Sequence, residues 1–336
     1  MSIKELLKKK VKGNLSIGND LRELEWLPTG IASLDAATGG GLPLRRMIHI
    51  FGPPSAGKSM LCLNIIRHTL EQDSALEALY IDCEGTVTKN DIEEMRLDGE
   101  RTIFYTPTGG EDAYNTAIEA LSNGVKIVVI DSVPFLKPQK VLDEVEKDVG
   151  SGEQMAVSKL MAKVQPALVN TLLHSDGVLV FINQERPSGT YEPPKYPGGS
   201  SITFLATLDI QIKVSRDKDD SSLITQKILM RKNKAFVPYL RCEIPSKDRI
   251  PLYGQCLVEA ATEAGLIIKG GGGNYSVTPE LATELGLEDP KLGRGLQKVG
   301  EFLEADKPAY DKLYAMVLET TRKSIKAIDD EFSEYE

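Results

Sequence analysis

One stretch limits the fold more than any other: 46-RMIHIFGPPSAGKSMLCLNIIRHTLEQ-72. An apolar run of strand length enters a turn rich in Gly and Pro, and a helical pattern leaves it. Within it, 52-GPPSAGKS-59 fits G-x-x-x-x-G-K-[ST], and its place between strand and helix gives the motif its meaning. Gly52 and Gly57 permit a tight backbone that wraps phosphates. The turn from Gly52 through Pro53, Pro54, Ser55, Ala56, Gly57, Lys58 and Ser59 to Met60 would hold a nucleotide by backbone N–H groups and a helix N-terminus, which attract anions. Lys58 would reach the β- and γ-phosphates and the Ser59 hydroxyl would face Mg²⁺, so ATP and Mg²⁺ are the expected cofactors.

The rest of the pattern agrees with a doubly covered sheet. Apolar runs at 46–51, 78–82, 102–105, 125–131, 177–183, 207–214 and 224–231 read as strands. Helical patterns lie near 58–72, 111–123 and 155–174. Such alternation predicts βαβ units and a mostly parallel sheet, an α/β fold. Several strands are apolar throughout, as in a sheet with both faces covered. The last two follow each other without a long helix, which predicts a hairpin at the sheet edge. Residues 256–336 change texture: helical patterns, a 269-KGGGGN-274 turn and the acidic end 329-DDEFSEYE-336. The predicted organisation is a short N-terminal segment at 1–27, a nucleotide-binding core at 28–255 and a small α-rich C-terminal domain at 256–336.

Composition narrows the function classes. The chain has 336 residues, enough for more than one domain and a sizeable core. No apolar run approaches the length that spans a bilayer, and MSIKELLKKKVKG lacks the apolar region of a secretory signal. Four scattered cysteines, with no CxxC pair, suit small buried hydrophobes in a reducing compartment, and three lone histidines make no metal constellation. The expected location is therefore the cytoplasm. A net charge of −9 argues weakly against nucleic acid, but a local basic groove can act against an acidic whole.

Two more strand ends carry carboxylates. The run 125-VKIVVIDS-132 drives into Asp131 at the strand's C-terminal end, where open α/β sheets bind ligands. Asp131 is the expected Mg²⁺ carboxylate beside the phosphate loop. The segment 80-YIDCEG-85 delivers Asp82 and Glu84 to the same edge, and Glu84 is the candidate to activate a water. A fourth strand, 177-GVLVFIN-183, ends in Asn183-Gln184 and breaks into a loop of Pro, Gly and Tyr. In that loop Arg186 and Lys195 are cationic, while Tyr191 and Tyr196 offer faces for unstacked bases. Lys232 and Lys234 are i and i+2, so on a strand they share a side and could converge on phosphate charge.

The run 28-PTGIASLDAATGGGLPLRRMIHIFGPPSAGKS-59, then DCE, VVIDS and FINQ in that order, resembles the RecA-type homologous recombinases, of the bacterial kind or of a phage-encoded relative of the UvsX kind. The resemblance runs from about 13 to about 325 and implies the RecA-like ATPase core. It implies a DNA-dependent ATPase that coats single-stranded DNA as a helical filament, pairs it with homologous duplex DNA and exchanges strands. A bacterial or phage-infected cell is the implied setting, with single-strand-binding and loader proteins as partners. Glu84 then resembles the catalytic glutamate, and Gln184 the glutamine that senses the γ-phosphate. Residues 144–154 resemble the first DNA-binding loop and 185–197 the second. Gly198 and Gly199 match the paired glycines of its return, and Phe204 a phenylalanine that couples subunits. Lys232 and Lys234 match lysines that reach a neighbouring subunit's ATP. The segment 14-NLSIG-18 resembles a polymerisation strand, and the acidic end an autoinhibitory tail.

The chain departs from the family pattern in places. The aromatic that stacks on adenine falls near Thr88 and Asp91, where there is none. A basic residue on the helix after the first loop falls at Pro166, and Lys163 and Lys159 lie one and two turns earlier as substitutes. The readings of other classes are a ring-shaped helicase or motor of the same fold, and a regulatory ATPase indifferent to DNA.

Overall fold

A computed structural model of the chain describes Glu5 and residues 23–143, 152–185, 197 and 199–333. The expected 14–18 strand and most of the two loops at 144–154 and 185–197 lie outside the described residues, as do the last three residues, 334–336, of the acidic end at 329–336.

Two short strands, β1 (Trp26–Leu27) and β2 (Leu42–Pro43), pair across α1 (Ala32–Thr38). The main sheet begins with β3 (Met47–Gly52) and the helix that leaves the phosphate loop, α2 (Lys58–Gln72). Then come β4 (Ala78–Asp82), α3 (Lys89–Glu94), β5 (Thr102–Tyr105), α4 (Gly110–Ser122), β6 (Ile127–Asp131), α5 (Gln139–Asp143), α6 (Gly152–His174) and β7 (Val178–Gln184). The short α7 (Gly199–Leu205) leads into β8 (Leu208–Arg216), β9 (Leu223–Asn233), β10 (Arg241–Lys247) and β11 (Ile250–Pro251). The sheet order is β11-β10-β9-β8-β3-β7-β6-β4-β5. Strands β5 to β8 of that order run parallel to β3, while β9, β10 and β11 are added antiparallel.

The period of two in each strand decides which helix it meets. Ile48, Ile50, Val178, Val180, Ile182, Ile127, Val129 and Tyr80 join the cluster packed with Leu61, Ile65 and Ile66 of α2. Their alternates Leu79, Ile81, Val128, Ile130, Leu179 and Phe181 join Ala113, Tyr114 and Ala117 of α4 and Leu160, Met161 and Leu168 of α6. Both faces of the sheet are thus covered, as the continuous apolar runs predicted.

The predicted edge hairpin needs correction. Strands β8 and β9 do pair antiparallel, but β10 pairs the length of β9 and moves the edge outward. The segment was missed because Pro245 interrupts it, and Pro argues against a strand. Pro245 is tolerated because its carbonyl, and with it the side on which the N–H is missing, faces away from β9, where it accepts only the Leu252 N–H at 2.8 Å beyond the Ser246 and Lys247 pairs with β11. The alternation survives regardless: Cys242, Ile244 and Ser246 are buried and their neighbours are not.

After β11 the chain forms α8 (Tyr253–Glu263), β12 (Ile268–Lys269), β13 (Asn274–Ser276), α9 (Pro279–Leu285), β14 (Lys291–Arg294), α10 (Leu296–Ala305) and α11 (Lys307–Ser333). The sheet β12-β13-β14 was not expected from the sequence, being only two to four residues per strand. Leu257, Val258 and Ala261 of α8 share a separate core with Leu285, Val299, Leu303, Leu313 and Val317. That core is fastened to the start of the main fold through α1. Asp35 is fully buried and takes hydrogen bonds from the Thr29 N–H (2.9 Å), the Thr29 hydroxyl (2.5 Å) and the Tyr314 hydroxyl. Arg322 donates to the Gly39 carbonyl at 2.7 Å and lies over the Trp26 ring. Among the described residues, no helix is long and apolar enough to cross a membrane.

Candidate functional site

The C-terminal ends of β3, β4, β6 and β7 meet at one edge of the sheet and open into a cavity of about 910 Å³. The phosphate loop forms its floor. Gly57 has φ +79, in the left-handed region, and Ser55 has φ +59. Gly52 is needed for a different reason: a Cβ there would lie 2.2 Å from the Ile212 carbonyl oxygen. The Lys58 ammonium folds back on the loop, donating to the Pro53 carbonyl at 2.8 Å and the Gly52 carbonyl at 3.2 Å. Burial lowers its pKa, against the pull of Asp131 and Glu84.

Ser59 lies in the first turn of α2 and its hydroxyl donates to Asp131 Oδ2 at 2.5 Å. Tyr80 donates to the same oxygen at 2.5 Å. Burial raises the Asp131 carboxyl, opposed by these two hydroxyls. A hydroxyl and a carboxylate at one point are the hard oxygen donors that suit Mg²⁺, so the residues present fit that ion.

Asp82 and Glu84 leave β4 together, but they do different things. Asp82 is buried and accepts from the N–H groups of Glu84, Gly85 and Val87 at 3.2, 2.9 and 2.8 Å, which sets the turn. Glu84 is released to the cavity. Its Oε1 accepts from the Ser132 hydroxyl at 2.9 Å and from Gln184 Nε2 at 3.3 Å. Both donors use one oxygen, Oε1.

The two amides at the end of β7 divide their work. Gln184 faces Glu84. Asn183 is fully buried and its Nδ2 donates to the Pro197 carbonyl at 2.8 Å. One strand end therefore contacts the candidate hydrolytic carboxylate and also grips the returning end of the 185–197 loop. Arg186, Tyr191, Lys195 and Gly198 fall outside the described residues, and Gly199 opens α7. Lys159 and Lys163 are exposed on α6, whose interior holds Pro166.

Lys232 and Lys234 stand apart from this cavity. Because β9 runs antiparallel to β8, its end lies at the opposite edge of the sheet from the phosphate loop. Both lysines converge on the last carbonyls of α7: Lys232 donates to Thr203 (2.5 Å) and Phe204 (3.0 Å), and Lys234 to Phe204 (3.4 Å). Phe204 is 72% exposed, with the Lys234 ammonium over its ring. Burial, then the nearby Lys234 charge, lowers the Lys232 pKa.

Three contributors escaped the sequence reading. Tyr80 looked like a strand residue, and Ser132 like the tail of VVIDS. Gln226 is fully buried in β9 and donates to the carbonyls of Ala56 and Gly57, both at 3.0 Å. Its only sequence signal is a polar residue where the strand's inward alternation calls for an apolar one.

Residues 1–247 match the family model described as the RecA N-terminal domain. The chain is 30% identical to Protein RecA of Chloroherpeton thalassium over 331 residues, covering 95% of this chain and 88% of that one. It is 29% identical to Protein RecA of Aquifex aeolicus over 309 residues, covering 88% and 84%. It is 30% identical to Protein RecA of Chlamydia felis over 311 residues, covering 89% and 84%. The chain belongs to the family of RecA-type recombinases.

Proposed function

We propose that this recombinase is a DNA-dependent ATPase whose hydrolytic centre is read by a DNA-binding loop through Gln184. The supporting observation is the strand end itself, where Gln184 meets Glu84 while Asn183 holds Pro197. A γ-phosphate in the cavity would compete for Gln184 Nε2, and a shift at residue 184 would be felt one peptide away by the loop's fastening. ATP lies along the loop from Gly52 to Met60, its phosphates on the backbone N–H groups and Lys58. Ser59 and Asp131 would hold Mg²⁺, which when bound would neutralise phosphate charge. Glu84 Oε2 takes the proton of a water as its oxygen attacks the γ-phosphorus, and ADP leaves.

Single-stranded DNA is bound by 144–154 and 185–197, with Lys159 and Lys163 on α6 and Arg186, Tyr191, Lys195, Gly198 and Gly199 on the second loop. Lys232 and Lys234 serve the ATP of an adjacent subunit in a helical filament, which accounts for their distance from this chain's own phosphate loop. The filament pairs with homologous duplex DNA. Residues 1–27 tie subunits together, 28–255 form the ATPase core, and 256–336 a C-terminal domain. Single-strand-binding and loader proteins act on this filament in the cytoplasm.

The test is steady-state ATP hydrolysis with and without single-stranded DNA, at a low and a high salt concentration. A large stimulation that weakens with salt is expected, because phosphate contacts release counterions. A rate that ignores DNA at both salts would overturn the proposal.

A further inference from the structure

The cavity has a second end that the phosphate chemistry does not use. Glu84 and Gln184 mark its γ-phosphate side, over β4 and β7. The far side lies over β8 to β11 and carries Arg216, Ser221, Ser222, Asp248 and Arg249, with Glu94 of α3 facing them. No aromatic side chain is among the described residues lining the cavity. A nucleoside triphosphate with its phosphates on the loop must place its base at this polar end.

Arg249 is held there with unusual care. Its Nη1 pairs with Asp91 Oδ1 at 2.5 Å and with Glu94 Oε2 at 3.2 Å. Asp91 is itself fixed, since its Oδ2 accepts from the Thr88 N–H and hydroxyl at 2.8 and 2.7 Å in the capping box of α3. The backbone is equally constrained. Asp248 and Arg249 have φ +47 and +69, as the two-residue hairpin turn between β10 and β11 requires of both its residues. The Asp248 N–H donates to the Ser222 carbonyl at 3.1 Å. The buried Asn64 donates to the Arg249 carbonyl at 3.0 Å from α2, the helix that starts at Lys58. The arginine is thus fixed relative to the phosphate seat by the same helix.

Resting on the ATPase reading above, we propose that the guanidinium plane of Arg249, clasped by Asp91 and Glu94, is the surface on which the nucleotide base stacks. A guanidinium is planar, delocalised and weakly hydrated, so it packs on a π-face as an aromatic ring does. Both carboxylates grip one terminal nitrogen, which fixes the plane. Stacking does not read base edges, so discrimination among bases falls to Ser221, Ser222 and Asp248. Lysine in place of Arg249 would keep the charge and lose the plane.

The test is equilibrium binding to the full chain of a non-hydrolysable ATP analogue and of inorganic tripolyphosphate, each with Mg²⁺. Arg249→Ala and Arg249→Lys are each expected to weaken the analogue by roughly tenfold, the scale of one lost stacking contact. Tripolyphosphate binding is expected to stay unchanged, and Arg249→Tyr to recover analogue affinity. Full affinity in Arg249→Lys would show that charge alone matters and overturn the proposal. An equal loss for tripolyphosphate would do so too, by showing an effect on the phosphate seat. A wild-type chain that binds neither ligand overturns the ATPase reading as well, whereas an Arg249→Ala chain that binds the analogue normally overturns only the stacking.

Discussion

Replacing Gln226 by Leu isolates what holds the phosphate loop in shape. In a planar trans peptide the carbonyl of one residue and the N–H of the next point in opposite directions. By bonding the carbonyls of Ala56 and Gly57 from below, Gln226 turns the N–H groups of Gly57 and Lys58 upward, to the phosphate side. The Gly57 carbonyl has a second donor, the Leu61 N–H at 2.9 Å, so the Ala56–Gly57 plane depends most on the glutamine. Two neutral hydrogen bonds contribute about 1–3 kcal/mol together. Gln226 Oε1 is buried without a partner among the described residues, and its removal returns about 1 kcal/mol. The net loss of folding stability is therefore about 0–2 kcal/mol, read from denaturant midpoints. A plane free to rock aims its N–H poorly, and at about 1.4 kcal/mol per decade the KM for ATP should rise roughly tenfold with kcat little changed. If stability falls while KM stays at the wild-type value, Gln226 is an ordinary core bond and the peptide-plane reasoning is wrong.

Other perturbations address different parts of the molecule. Glu84→Gln should bind ATP and DNA yet turn over about 10²–10⁴-fold more slowly, measured by phosphate release, and brisk hydrolysis would remove Glu84 as the base. Lys232→Ala should lower the DNA-stimulated rate while isolated subunits bind ATP normally; an unchanged stimulated rate would mean the lysine only caps α7. Asp35 supplies a pH prediction. Burial raises its carboxyl from 3.8 to about 6, against hydrogen bonds from Thr29 and Tyr314. Below the unfolded value both states are protonated; as pH rises from there to the folded value, the unfolded chain ionises first and stability is lost. Relative to Asp35→Asn, the wild type should lose about 2 kcal/mol between about pH 4.5 and about pH 7.5, and a constant difference in unfolding free energy across that range would refute it.

What could be read from the sequence, and what could not, follows the range of the interactions. The strands that carry Gly52, Asp82, Asp131 and Gln184 are apolar on both faces, and that pattern is local, so their ends were legible. The βα phosphate loop is likewise one contiguous segment with a fixed order of parts. Strand β10 obeys the same alternation, but Pro245 spoke against it, and it is tolerable because the side with the missing N–H faces away from β9, toward Leu252. Gln226 lies 169 and 170 positions from the carbonyls it holds, and Arg249 lies 158 from Asp91. No local rule connects such residues; they meet because β9 and β10 were added beside β8, at the end of the sheet that was under-read.

The same distance separates the two ways a nucleotide is held. Its phosphates meet backbone N–H groups whose direction is set by a short motif, and few sequences other than a glycine-rich turn can supply them. Its base needs only a flat face at the right height, and several side chains on several strands can offer one. An aromatic on α3 is one solution. Here α3 supplies Asp91 and Glu94, and the flat group comes from the turn between β10 and β11. If that is the arrangement, the position where an aromatic was sought has not gone silent: it now orients the group that replaces it. A double substitution then separates support from replacement. Asp91→Tyr alone would remove one carboxylate and unfasten Arg249, yet Asp91→Tyr with Arg249→Ala should bind the ATP analogue better than Arg249→Ala alone, because the ring restores a face. Equal weakness of the two would mean that the seat of the base lies elsewhere in the cavity.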